Sequence, residues 1–142
     1  MAYASYQDLI EAFDEQLIIQ MSDDNGDGVA DAAVIDQAIA SADAEIDASI
    51  GTRFAVPLNP VPRLAVRFSC ALAVAWLYTR RGVDKPASVL DAERAARDML
   101  KRIAAGQATW GEPVAAAPDT SELDVRTSSA TRVFDRGRLT GF

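Results

Sequence analysis

The sequence predicts a mainly α protein: a small bundle of about four to five helices, followed by an extended C-terminal arm that contains short β segments. Three observations carry this expectation. Apolar residues recur at steps of three and four along Ile35, Ile39, Ala42, Ile46 and Ile50, which is one face of an α-helix. The stretch from Leu64 to Tyr78 is apolar nearly all round, as the central helix of a bundle should be. Past Gly106 the helical period stops, and Ala, Pro, Thr, Ser and Gly take over. Residues 1–108 are therefore read as a helical body and 109–142 as the arm.

Ser5 opens the first helix, and Asp8 three residues on resembles a capping box. Leu9, Ile10 and Phe13 form its apolar stripe. A second short helix runs from Glu15 to Met21, with Leu17, Ile18 and Met21 facing inward. Asp31 is placed to cap the long third helix. Asp36, Asp43, Glu45 and Asp47 fall mostly off its apolar stripe, and Gly51 suits its C-cap. Pro57, Pro60 and Pro62 forbid a helix until the last of them, so Phe54, Val56 and Leu58 read as an extended segment pinned against the core. Pro62 fits the first turn of the central helix. Arg80, Arg81 and Gly82 close that helix, with cations at the negative end of its dipole. Ser88 and Asp91 offer another capping box. Leu90, Ala96, Met99, Leu100 and Ile103 give the last helix its stripe, and Gly106 ends it. Short β-like pieces follow at Leu123–Arg126 and Arg132–Phe134.

Composition narrows the function classes. At 142 residues the chain is one domain with room for a real core. Histidine is absent, which removes the commonest general base and the commonest transition-metal ligand. The single cysteine, Cys70, lies in an apolar run and reads as a buried inert thiol. The N-terminus has neither a basic n-region nor an apolar h-region, so no secretory signal is expected. The longest apolar stretch is shorter than a membrane span and is broken by Arg67 and Ser69, so no membrane is expected. The net charge of −7 argues against a duplex-binding regulator. It is unevenly spread: from Arg126 onward four arginines meet one acid, Asp135, so that segment carries +3 and the remainder −10.

One stretch invites a metal. In SDDNGDGVADAAVID, from Ser22 to Asp36, Asp23, Asn25, Asp27, Val29 and Asp31 fall where a helix–loop–helix calcium loop has its first five ligand positions, with Gly28 at the sharp turn. Position 12 should be a bidentate glutamate and is Val34. The simpler reading is a turn in which Asn25-Gly26 and Asp27-Gly28 supply the left-handed positions before the Asp31 cap. No cofactor is expected apart from calcium held weakly by this incomplete loop. Carboxylate pairs such as Asp43 and Asp47 read as a solvated helix face, and no catalytic constellation accompanies them, so the chain does not read as an enzyme.

The order of IDQAIASADAEIDASIGTRFAVPL, PVPRLAVRFSCALAVAWLY, AARDMLKRIAAG and the ending RVFDRGRLTGF resembles a family of short proteins from Mu-like tailed phages and prophages. These proteins are encoded among the head genes and are regarded as head–tail connector (adaptor) proteins. Where that family commonly has tyrosine in its arginine–aromatic–x–x–proline–leucine element, this chain has Phe54. The resemblance implies a virion protein of the neck, made in the host cytoplasm. It implies a ring of twelve copies beneath the portal, lining the DNA channel and meeting a stopper or tail-completion protein, with DNA passing through without specific binding. The basic arm, with Arg126, Arg132, Arg136 and Arg138 beside the apolar anchors Val133, Phe134, Leu139 and Phe142, would then bind a neighbouring subunit or the portal. The alternatives are a stopper of the same connector and a small calcium-binding helical regulator.

Overall fold

A computed structural model describes residues 1–118. Five helices follow one another: α1 (Tyr6–Ala12), α2 (Glu15–Ser22), α3 (Ala32–Ile50), α4 (Arg63–Arg81) and α5 (Ala87–Ala104). The described residues contain no β-strand, only an isolated antiparallel bridge between Phe54 and Ala116. The β-like pieces expected at 123–126 and 132–134 lie outside the described residues.

The central position expected for α4 holds. Eleven of its residues are buried, among them Phe68, Leu72, Val74 and Leu77, and it packs against each of the other four helices. Each fully buried Leu or Val contributes about 1.5–3 kcal/mol by leaving water, so α4 supplies much of what holds the bundle. Pro62 sits at its N-cap, one position before the first helical turn, and Gly82 closes it in the left-handed conformation. Cys70 is buried within it, and burial pushes its thiol up to about 12. Among the described residues no helix is long and apolar enough to cross a membrane.

The α1 capping box is complete. The Asp8 amide donates to Ser5 Oγ, and the Ser5 amide donates back to the Asp8 carboxylate at 2.7 Å. Ile35, Ile39, Ala42, Ile46 and Ile50 are all buried along α3, as their spacing requires.

The boundaries of α5 differ from expectation. It begins at Ala87 behind an extended Pro86, so Ser88 is already inside the helix and makes no cap. Its buried face is Val89, Glu93, Ala96, Leu100 and Ile103, with Leu90 only half-buried. Gly106 ends the helix at φ +77°, and the Gln107 amide reaches back to the Arg102 carbonyl at 2.8 Å. A Cβ there would stand 2.7 Å from Arg53 Nη1 as well as strain the backbone. Gly106→Ala should therefore cost about 1–2 kcal/mol in chemical denaturation. An unchanged midpoint would mean that neither the turn nor the arginine is held as described.

Candidate functional site

The arginine–aromatic–x–x–proline–leucine element, Arg53 to Leu58, proves to be a clasp that joins three parts of the chain. Arg53 Nη1 donates to the Ile103 carbonyl at 2.9 Å, so its cation sits at the negative end of α5. The same guanidinium lies 5.4 Å from the centre of the Phe54 ring. Phe54 meets Trp110 edge-on with ring centroids 6.2 Å apart, and Phe68 lies at the same distance on a tilted plane. Trp110 is thereby buried. Beyond it the Ala117 amide donates to the Arg53 carbonyl at 2.9 Å and the Ala55 amide to Ala115 at 3.1 Å. The first part of the segment read as an arm, residues 109–118, is thus stitched to the body. Leu58 is fully buried, but Val56 is 40% exposed, so the segment expected to be pinned against the core is not pinned at Val56. The backbone turns at the prolines instead of running straight along the core.

A buried polar network anchors the other end of the clasp. Asp43 Oδ1 accepts from Ser69 Oγ at 2.6 Å, and Oδ2 accepts from the Tyr3 amide at 2.8 Å. The Tyr3 hydroxyl donates to Asp47 and accepts from the Leu58 amide at 2.8 Å. Asp43 is therefore buried and not on a solvated face as its pairing with Asp47 suggested. Burial, with a smaller push from the Asp47 charge, raises its carboxyl above the ordinary range against the pull of its two hydrogen bonds. Burial and the Asp47 contact likewise raise the Tyr3 phenol. The signal was present in the sequence. Asp43 stands four residues from Ile39 and three from Ile46, on the stripe itself, and Ser69 interrupts an otherwise apolar helix.

Glu93 on α5 follows the same rule, and is buried between Lys85 at 2.8 Å and Arg97 at 2.7 Å. Arg97 continues to Glu45 on α3 at 2.7 Å, tying α3 to α5.

The acidic loop is organised by its own amides. Asp23 accepts from Gly26 at 2.6 Å, from Gly28 at 2.8 Å and from Asp27 at 3.3 Å, and these bonds, Gly28 first, hold its carboxyl below the usual range. Gly26 and Gly28 occupy the left-handed positions, at φ +75° and +78°. Asp27 accepts from the Val29 amide at 2.9 Å. Asp31 stands at the N-cap of α3 but makes no cap bond. Its carboxylate crosses the loop instead, to the Asp24 amide and Asn25 Nδ2, each at 3.0 Å. Arg81 then holds the loop to α4, donating from Nε to the Met21 carbonyl at 3.1 Å, and Arg80 and Arg81 pair with Asp24. Among the described residues no three acidic, histidine or cysteine side chains gather at metal-ligand spacing. Asp23, Asn25, Asp27, Val29 and Asp31 lie on one turn, and the carboxylates of Asp23 and Asp31 are engaged there by amides of the loop itself.

The family model described as Bacteriophage Mu, Gp36 matches residues 3–128. The chain belongs to this family. It is also 34% identical, over 140 residues, to "Gene product J" of Escherichia phage Mu, a match that covers 96% of each chain. In this Gp36-family chain both the Tyr3 network and the Arg53–Leu58 clasp lie inside the matched stretch.

Charge in this Gp36-family protein is partitioned in a way the sequence reading missed. Residues 1–52 hold twelve acidic side chains and no lysine or arginine, whereas residues 53–118 hold ten basic and five acidic ones. Arg80, Arg81 and Arg97 reach back to acids of the first half. Arg63, Arg67, Arg94, Lys101 and Arg102 are exposed and make no salt bridge among the described residues. Two clefts open on the acidic half. One, of about 630 Å³, lies between the N-terminus and α3. The other, of about 420 Å³, lies where α1, α2 and the loop meet the start of α3. The expected arm residues Arg126, Arg132, Val133, Phe134, Arg136, Arg138, Leu139 and Phe142 lie outside the described residues.

Proposed function

We propose that the chain is a head–tail adaptor, a structural virion protein that forms a ring beneath the portal of a Mu-like phage and lines part of the DNA channel. The observation that carries this reading is a closed helical core followed in sequence by a basic segment with apolar anchors. A closed helical core ends in a segment fastened by the Arg53–Leu58 clasp, and what continues beyond it carries +3 over residues 126–142 with four apolar anchors. A subunit that makes much of its binding energy only in an assembly needs this arrangement. Membership of a phage Mu family supports the same reading.

The charge partition suits both partners that such a ring would have. An acidic surface repels phosphates, so DNA slides past without specific binding. An exposed basic face on α4 and α5 gives a neighbouring copy or the portal something to pair with. The ring would number twelve copies, with a stopper or tail-completion protein below. The protein would wait in the host cytoplasm and end in the neck of the virion. This role needs no catalytic step and no metal.

Disruption of the coding sequence in a phage that carries it should leave packaged heads and free tails that do not join, counted by electron microscopy of lysates. Tailed, infectious particles made without the chain would remove the adaptor reading.

A further inference from the structure

The cleft of about 420 Å³ at the start of α3 presents apolar surface to solvent. Tyr6, Ile19, Val29, Ala30, Ala32 and Ile35 line it together with the acids Glu15 and Asp36. Val29 is 62% exposed and Tyr6 37%, a large apolar exposure on a half of the chain that is otherwise acidic.

We propose that this groove is the docking site for the chain's own C-terminal segment, residues 132–142. The chemistry of the two matches. RVFDRGRLTGF brings Val133, Phe134, Leu139 and Phe142 for the apolar lining, and Arg132, Arg136 and Arg138 for Glu15 and Asp36. Residues 1–52 contain no lysine or arginine that would pair with these two acids first.

The geometry allows it within one chain. The described chain is last fixed where Ala117 bonds Arg53, just past the end of α3, and the groove lies at the first turn of the same helix. The 19 residues of α3 separate the two points by about 28 Å at ~1.5 Å per residue. The stretch from Pro118 to Arg132 reaches about 46 Å when extended, at ~3.3 Å per residue. A tethered segment that can span its site meets it at an effective concentration on the order of millimolar, far above a second copy at micromolar concentration. In the isolated protein the segment therefore meets its own groove before that of a second copy. When copies are gathered at high local density, the groove of a neighbour offers the same surface, and exchange between them links subunits without any new chemistry.

The recognition of segment by groove stands whether or not the chain builds a phage neck, and its test needs no portal. A nitroxide is attached to Thr140→Cys in the full-length, ¹⁵N-labelled chain. Cys70 is 2% exposed, which leaves the new thiol as the site of labelling. The expected result is loss of the amide signals of Gly28, Val29, Ala32 and Asp36, unchanged on tenfold dilution, and their recovery when Phe134→Asp is added. Unaffected signals in the labelled chain would overturn the proposal. So would equal signal loss in ¹⁵N chains without a nitroxide when they are mixed with spin-labelled chains that carry no ¹⁵N, since that would place the segment on a second copy.

Discussion

Asp43→Ala should lower the stability of the folded chain by about 2–4 kcal/mol, because it leaves the buried Tyr3 amide and Ser69 hydroxyl without their acceptor. Asp43→Asn should cost far less. Its carbonyl still accepts from Tyr3, and its amide donates to Ser69 Oγ once that hydroxyl turns away. The same pair of variants separates the charge from the hydrogen bonds. Burial raises the folded carboxyl above its ordinary value of 3.8. A raised carboxyl contributes stability that is fully present below about pH 4 and is lost as pH rises through the folded value. Urea denaturation across that range should show the native chain losing stability relative to Asp43→Asn as pH rises. A difference that stays flat would mean that the carboxylate carries no burial penalty.

Removal of residues 126–142 should abolish attachment to portal rings, a loss of at least about 100-fold in affinity if several desolvated anchors are lost together. The body should keep its melting temperature within a few degrees. Every buried hydrophobic side chain among the described residues lies between Tyr3 and Trp110, and the clasp closes at Ala117, before the cut. Portal co-sedimentation and a thermal melt of the same sample separate the two effects. Retained binding would detach the basic segment from the assembly role, and a collapsed melt would show that the segment belongs to the core.

The helices were legible because each has a local cause. The Ser5–Asp8 box, the spacing of Ile35 to Ile50 and the unbroken apolar run of α4 depend on near neighbours in sequence. What escaped depends on partners far along the chain. Asp43 is 40 residues from Tyr3 and 26 from Ser69, so its acidic character suggested solvent although its register placed it in the core. Trp110 gains its partners Phe54, 56 residues away, and Phe68, 42 residues away, only through the fold. Asp31 has the composition of a helix cap, but Asp24 and Asn25 offer its carboxylate competing donors across the loop. The acidic loop shows how one pattern serves two ends: alternating acids and glycines make a tight turn by accepting amides, and a calcium loop adds a bidentate glutamate at the position where this chain has Val34.

The clasp also gives the Arg53–Leu58 element a physical purpose. It fixes the end of α5, receives Trp110 and holds the Tyr3 hydroxyl on the Leu58 amide. It therefore fixes where residues 109–118 lie on the body.

The most direct test of the adaptor account is to mix the purified full-length protein with assembled portal rings of its phage and image the product by electron microscopy, with calcium and with chelator. The account predicts a new symmetric layer beneath the portal in both conditions, since the acidic loop is held by its own amides. Portal rings that stay bare in both would contradict it.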